Sequence, residues 1–528
     1  MNKKPGLYVV FLCSLPALIL SFACLVPYLD KAFLVDDPVF LLQAQQILKE
    51  PRHPMALNVC WVYDNQCEPV AANMPGNFLV SYYLAPVVNL PNPERWVHLM
   101  QIVALWCGIV ATVSLAFRFG FDTFAATGAG LVLAATPPVL AMASTAMPEM
   151  LAMALSVVGL ERLWAWKESG KAIDGLISAL ALGLAPLARL HLILLLPIAA
   201  VLLRDDGRIF DVQSWIRLPK RRWLPLIGAV FVSFLVIALT HESGSGLKPT
   251  HMFLRPERFD YNLLSYLSYW MAAMPLGAAW LVLRNRDVRG WLFSPIVIAL
   301  LLLRPPGVRI WLVAGLGAIV LMDILVWSLE SQDHRRTACF LWLLLPLVAL
   351  PYIQLPVKLL VPCAPATALL VADILPAFRW RRTALGGIVV VGTIYGSMIL
   401  HADYRFAEMG RQAAERLVTP RVASGHRVWF ASQWGLYWYA LKAGGRVLRP
   451  NDVPAPGDYL VRGEMEGYPE TLKRLPPAIE VETLRLGGPG GRTMSSKDNA
   501  GLYSNAYGTF MWKWGTGEWN RYELYQFQ

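Results

Sequence analysis

The sequence is short of charge: Asp, Glu, Lys and Arg make up 16% of its 528 residues, against roughly 25% in an ordinary soluble domain. Polar linkers are scarce before residue 400, and neither internal repeats nor low-complexity tracts interrupt the chain. A water-soluble chain of this length divides into domains joined by polar linkers, so the shortage excludes a string of soluble domains. A basic patch on a folded soluble unit is also missing, despite a net charge of +11. The basic residues sit in short turns between apolar runs, which excludes a nucleic-acid binder and matches the positive-inside rule.

What is abundant is apolar length. The chain is 56% hydrophobic with a mean hydropathy of +0.45, and apolar runs of about 20 residues recur, each long enough to cross a bilayer core of roughly 30 Å. The first, Leu7 to Leu29, follows Lys3 and Lys4. It is longer than a signal-peptide core and lacks a clear small-residue cleavage site, so it reads as a retained span with a cytoplasmic N-terminus. Further runs lie at about 96–117, 123–143, 148–166, 172–189, 190–203, 222–240, 261–283, 290–303, 311–329, 337–353, 359–377 and 383–401. The expected fold is therefore mainly α, a polytopic helix bundle of about thirteen transmembrane helices with its termini on opposite sides. The turns support this count: Arg118, Lys167, Lys171, Arg204, Arg208, Arg217, Lys220 to Arg222, Arg284 to Arg289, Arg335, Arg336 and Arg379 to Arg382 all fall on the cytoplasmic side. Arg304 and Arg309 fall on the other side, as either a local miscount or phosphate-binding residues.

On this topology the outer face of a bacterial inner membrane carries three substantial segments: a first loop over about 30–95, a middle loop over 241–262 and a tail from about 402 to 528. Short β-like runs in the tail, separated by Gly, Pro and Asp turns, predict a small periplasmic α/β domain over 402–528 beside a transmembrane domain over 1–401. Five of the seven cysteines lie in spans as small apolar fillers. Cys60 and Cys67 sit in the first loop as CWVYDNQC, where an oxidising periplasm permits a disulfide. A metal pair is the competing reading, although no His or Cys partner lies nearby in sequence.

The chemistry is expected at Asp36-Asp37. Asp37 is placed to cap an amphipathic helix begun by Pro38 and lying along the membrane surface. That leaves Asp36 free, and adjacent carboxylates at the mouth of a membrane cavity either poise one as a base or hold a cation. Both are alternatively plain solvated loop residues. Glu149, Arg189 and Lys358 lie at span ends on the same face, where cations suit a phosphate and where interfacial anchors also snorkel. His191 reads as structural. Lys248, His251, Arg255 and Arg258 form a basic cluster that reads as a lid or as a solvated loop.

The stretch VDDPVFLLQAQQI after the first span resembles the acidic-pair motif of the C-type glycosyltransferase (GT-C) fold, near the aminoarabinose transferases and protein O-mannosyltransferases, which use polyprenyl-phosphate sugars. In the same order, ANMPGNFLVSYYLAPVV (72–88), STAMPEMLAMAL (144–155), APLARLHLILLLP (185–197), LPVKLLVPCAPATALL (355–370) and RVWFASQWGLYWYALKAGGRVL (427–448) are similar to further segments of that family. The resemblance implies Asp36 as catalytic base with Asp37 beside it, Lys358, Arg189, Arg255 and Arg258 for the donor phosphate, and a divalent metal held by Glu149 and Asn73. Asn73-Met74 departs from the Glu-Lys pair of members close to the aminoarabinose enzymes, which weakens the expectation of a metal and of that sugar. The implied activity is transfer of a sugar from a polyprenyl-phosphate donor to a periplasmic lipid, glycan or protein acceptor, with inversion at the anomeric carbon. A transporter or lipid flippase is the alternative, but it expects paired similar halves and ionisable residues at mid-membrane. A scaffold would leave the acidic pair without a role.

Overall fold

The computed structural model describes residues 6–62, 66–70, 77–205, 215, 218–240, 254–274, 276–284, 306–465 and 475–528. Asn73, Met74, Lys248, His251, Arg286, Arg289 and Arg304 lie outside the described residues, as does the side chain of Arg309. Among the described residues the chain is mainly helical, and six helices are long and apolar enough to cross a membrane: Leu7–Tyr28, Pro93–Arg118, Lys220–Thr240, Ile310–Ser331, Val357–Ala377 and Arg381–Ala423. Their outward faces are apolar, with Phe11, Ile19, Phe231, Phe234, Ile319, Val391 and Ile394 all exposed. That much bare hydrocarbon suits lipid and not water, and the chain is a membrane protein.

Several long apolar runs are broken by proline. The run over 123–143 becomes two helices, Thr123–Ala134 and Pro137–Met142. Pro137 lacks an N–H and holds Thr136 in an extended conformation, so one continuous helix is not available. Asp122 starts the first of these by accepting the Ala125 N–H at 2.7 Å. Pro362 similarly sits in a 3-10 turn, Val357–Cys363, that feeds the helix Ala364–Ile374. The Glu149–Ser169 helix packs against Pro93–Arg118 and Ala172–Ala188. Gly183 then lets Leu224–Thr240 approach until a Cβ there would strike the Ala229 carbonyl, and Ser233 donates to the Gly183 carbonyl at 2.6 Å.

The turns of one bundle end meet in ion pairs. Arg118 holds Glu161 and Glu168, Lys167 and Arg222 share Asp205, and Arg336 holds Asp373. The Pro93–Arg118 helix runs from this end to the other, where Glu94 accepts a 2.8 Å bond from the Tyr439 hydroxyl.

At that second end the Arg381–Ala413 helix continues without a break through residue 401. Beyond it lies a five-stranded sheet in the order Arg446–Val447, Val428–Phe430, Tyr459–Gly463, Asn520–Phe527, Ala478–Leu486, the first three strands parallel and the other pairings antiparallel. The Trp434–Lys442 helix leaves the sheet and packs on Arg381–Ala413. A Cβ at Gly435 would lie 2.6 Å from the Phe33 carbonyl, so glycine is what lets this helix touch the first loop. The Asp37–Lys49 helix expected on the membrane surface is instead largely covered by protein, against Leu79–Leu84 and Trp434–Lys442. Cys60 and Cys67 face each other across the hairpin of Asn58–Val62 and Gln66–Pro69 and form a disulfide.

The tail also inserts a loop into the bundle. Asn505 donates to Asn262 at 2.8 Å and to Ser265 at 3.1 Å, and accepts from the Leu355 N–H at 3.0 Å. Asn505→Ala strands at least the Leu355 N–H and the Asn262 carbonyl oxygen, so it is expected to cost about 2–4 kcal/mol. Thermal unfolding of the purified variant in detergent should show the melting temperature falling by several degrees.

Candidate active site

The site begins with a stretch that is not helical. Between Pro137–Met142 and Glu149–Ser169 the chain forms an irregular turn over 143–148, every residue of it buried. Peptide groups without helical partners must find others when water is excluded. Here side chains supply them. The Ala146 N–H donates to Asp37 Oδ1 at 2.8 Å, the Ser144 carbonyl accepts from Lys31 Nζ at 3.0 Å, and the Met147 carbonyl accepts from Gln101 Nε2 at 2.8 Å.

Lys31 is wholly buried and needs a counter-charge. Its ammonium also meets the Ser144 hydroxyl at 3.2 Å and forms an ion pair with Asp403, on the Arg381–Ala413 helix. Asp403 uses both oxygens: Oδ2 also accepts from the Tyr503 hydroxyl at 2.6 Å, and Oδ1 accepts from Thr493 at 3.2 Å. Residues from the first loop, the buried turn, the long helix and the tail therefore close one network. Removing one partner of such a buried pair costs about 3–5 kcal/mol.

The two carboxylates of the acidic pair have different surroundings. Asp37 is fully buried, and both of its oxygens are taken by backbone donors, the Leu34 N–H at 3.0 Å and the Ala146 N–H. It does not cap its own helix, which begins at Asp37 itself; the carboxylate turns back to Leu34 and across to the buried turn. The Val39 and Phe40 N–H groups at the helix start already reach the Asp36 carbonyl, which leaves the Asp37 carboxylate to the Leu34 and Ala146 N–H groups. Burial lifts the Asp37 carboxyl to about 7, against the opposing charge of Lys31 and the two backbone donors. Asp36 keeps a partly open carboxylate, 24% exposed, with Lys358 Nζ 2.8 Å from Oδ2. The residue before it, Val35, sits at φ +48, a left-handed conformation that a β-branched side chain avoids. Strain of this kind is held only where the surroundings over-determine it, and it collects at functional sites.

Lys358 is nearly buried, with the Met147 sulfur 3.6 Å from its ammonium and the Tyr503 ring centroid at 5.9 Å. Burial, with the negative charges of Asp403, Asp37 and Glu149, holds the Tyr503 phenol well above its ordinary range. Glu149, two residues after Met147, is fully buried and ion-paired with Arg189. Arg255 and Arg258 are exposed at the head of the Phe259–Ala272 helix, with Glu257 and the Tyr261 ring as partners. Tyr261 of the same helix donates to the carbonyl of the buried Asn505 at 2.8 Å, and neither arginine is bonded to the Asp36–Lys358 pair.

Among the described residues no group of three or more His, Cys, Asp or Glu side chains is arranged to hold a divalent metal. Glu149 is already paired with Arg189, and Asn73 lies outside the described residues.

Asp36, Lys358, Glu149 and Arg189 thus lie together around the buried turn, with Asp37 beneath them. Sequence reasoning misses Lys31, Gln101, Asp403 and Tyr503. The first three carry a signal, being polar or ionisable groups at the ends of apolar runs. Tyr503 lies in a soluble-looking tail and carries none.

The environment of Asp37 has a pH consequence. Its folded carboxyl titrates near 7 while an unfolded one titrates near 4, so the folded state holds the extra proton between those values. This contribution favours folding below about pH 4 and is lost as the pH rises towards 7. Melting curves across pH 4 to 8 should show that slope in wild type and lose it in Asp37→Asn. At pH 4 the variant should be less stable by about 1–3 kcal/mol, because an amide cannot accept from both backbone donors, and that deficit should shrink as the pH rises towards 7.

No family model and no curated protein matches the sequence. Among solved structures the chain is similar to ArnT from Cupriavidus metallidurans bound to undecaprenyl phosphate, at 13% identity over 86% of this chain and 93% of that one, with a TM-score of 0.44. It is similar to the Archaeoglobus fulgidus oligosaccharyltransferase at 12% identity, over 85% of this chain and 65% of that one, with a TM-score of 0.43. It is also similar to the arabinofuranosyltransferase AftD from Mycobacteria at 14% identity, over 99% of this chain and 40% of that one, with a TM-score of 0.43.

Proposed function

We propose that this chain is a membrane glycosyltransferase that moves a sugar from a polyprenyl-phosphate donor to an acceptor hydroxyl. The observation that carries the reading is the Asp36–Lys358 pair, a carboxylate and an ammonium 2.8 Å apart at one end of a lipid-embedded bundle. A donor phosphate competes with Asp36 for the same ammonium. As Lys358 turns to the phosphate, Asp36 is released as a base. Asp36 then takes the acceptor's proton while the acceptor oxygen forms a bond to the anomeric carbon. The bond from that carbon to the phosphate oxygen breaks on the opposite face, and its electron pair leaves with polyprenyl phosphate, whose charge Lys358 balances. One direct displacement inverts the anomeric centre.

Asp37 serves as a positioning group, since both of its oxygens are committed to the backbone. Arg255 and Arg258 give the rim positive charge that draws an anionic lipid head towards the site. The undecaprenyl phosphate named with the Cupriavidus ArnT structure is the natural first donor lipid to try. In this reading the bundle crosses the bacterial inner membrane about thirteen times, with a cytoplasmic N-terminus. The Asp36 end faces the periplasm, where the segment from about residue 402 onwards forms a small α/β domain beside the acceptor. A transporter or flippase would place its ionisable residues at mid-membrane between paired halves, whereas Asp36, Glu149 and Lys358 surround one turn at one bundle end.

The test is sugar transfer by purified protein in lipid nanodiscs, offered undecaprenyl-phosphate sugars. Asp36→Asn should lower kcat by about 10²–10⁴-fold, the usual worth of a general base, while donor KM falls, since the phosphate no longer competes with a carboxylate for Lys358. Lys358→Met should lower kcat and raise donor KM together. Equal rates in wild type and Asp36→Asn would remove Asp36 as base, and absence of transfer from every donor would sink the reading.

A further inference from the structure

We infer that Glu149, Arg189 and His191 form a recognition site for the hydroxyl groups of an uncharged sugar. The inference deepens the transferase reading and rests on it, since the sugar is the one carried by the donor. Glu149 has no exposed surface, and only one of its oxygens is used, in the ion pair with Arg189. Its Oε2, the Nε of Arg189 and the Nε2 of His191 are each buried without a hydrogen-bond partner. Buried polar atoms are ordinarily satisfied, and exceptions need a reason.

Other buried carboxylates in the chain supply the comparison. Glu161 accepts from Ser114, Arg118 and Arg162. Asp403 and Asp37 use both oxygens. Among the described residues, Glu149 is the one Asp or Glu with a buried oxygen left over.

The unpaired atoms state what they would bind. Oε2 only accepts, the Arg189 Nε–H only donates, and His191 Nε2 does either according to its tautomer. A partner must donate and accept at once, as a hydroxyl does. A phosphate or uronic-acid carboxylate would meet the Glu149 carboxylate, and an ammonium would offer Arg189 no acceptor. The Glu149–Arg189 pair is neutral overall, so it gives a charged sugar no compensation. The location fits: Glu149 is two residues from Met147, whose sulfur touches the ammonium that holds Asp36.

The experiment measures binding to the full chain in nanodiscs, using bare undecaprenyl phosphate and the same lipid carrying mannose, arabinose, 4-amino-4-deoxyarabinose or glucuronic acid. Wild type should bind at least one neutral-sugar lipid about tenfold or more tighter than the bare lipid, one good hydroxyl contact being worth that factor. The amino and acidic sugars should show no such gain. His191→Phe should bind the bare lipid as wild type does and lose most of the gain, and Glu149→Gln, which frees the Arg189 cation, should lose the gain measured against its own binding of the bare lipid. His191→Phe leaves no charge unpaired, so it guards against a folding failure in Glu149→Gln. Variants that keep the full gain, or an amino or acidic sugar bound as tightly as the neutral ones, would overturn the inference alone. Absence of binding to any of these lipids would instead overturn the transferase reading beneath it.

Discussion

Peptide groups that are buried but not helical set the terms for this molecule. Pro137 and Pro148 flank a segment that cannot complete a helix, and the turn over 143–148 is sealed from solvent. Three of its peptide groups, the Ala146 N–H and the Ser144 and Met147 carbonyls, take partners from elsewhere in the chain. Asp37 and Lys31 bring the first loop back over the turn to provide the first two. Lys31 then requires Asp403, and Asp403 completes its own bonding with Tyr503 and Thr493 from the tail. Asp36 stands where it does because both of its neighbours are held, Val35 in a strained turn and Asp37 against the turn's backbone.

Charge is handled differently at the two ends of the bundle. At the Arg118 end the Arg381–Asp122 pair is well exposed at 3.7 Å and adds little to stability, while Glu161 is nearly buried between Arg118 and Arg162. At the Asp36 end the pairs are buried and satisfied by further hydrogen bonds, so they specify geometry. The balance is close to neutral: Lys31 with Asp403, Lys358 with Asp36, Arg189 with Glu149. An anionic lipid head entering that neutral set must compete for a cation already engaged, and only Lys358 is engaged by a carboxylate that is itself partly open to the surroundings.

Membrane character is readable from the apolar runs because lipid imposes a length on them, and the basic turns are readable because they must stay on one side. The breaks within runs are less so, although Pro137, Pro346 and Pro362 mark them. Asp36, Glu149, Arg189 and Lys358 stand out in the sequence as ionisable groups at the edges of apolar stretches. Which of them pair is not legible, since the pairing depends on how helices cross. Arg189 looks like a free cation in the sequence, yet its charge belongs to Glu149. The role of Asp37 is hidden for the same reason: its two donors lie 3 and 109 residues away, one local and one across the bundle. Tyr503 and Asn505 are invisible because nothing in an aromatic, Gly-rich tail announces that it plugs into a membrane domain.

The network that joins residue 31 to residue 503 also sets an order of events during synthesis. The membrane machinery can insert helices as they emerge, but Lys31 and Asp403 meet only after the long Arg381–Ala413 helix is in place. Even then Asp403 waits for Thr493 and Tyr503 to fill its remaining bonds. A nascent chain that has emerged only through residue 480 already contains Asp36, Glu149 and Lys358 but not the groups that hold their surroundings in register. The centre is therefore set only after the chain has emerged past Tyr503. A chain halted before residue 493 leaves Lys31 and Asp403 paired with each other but without the two tail hydroxyls that lock the pair in place.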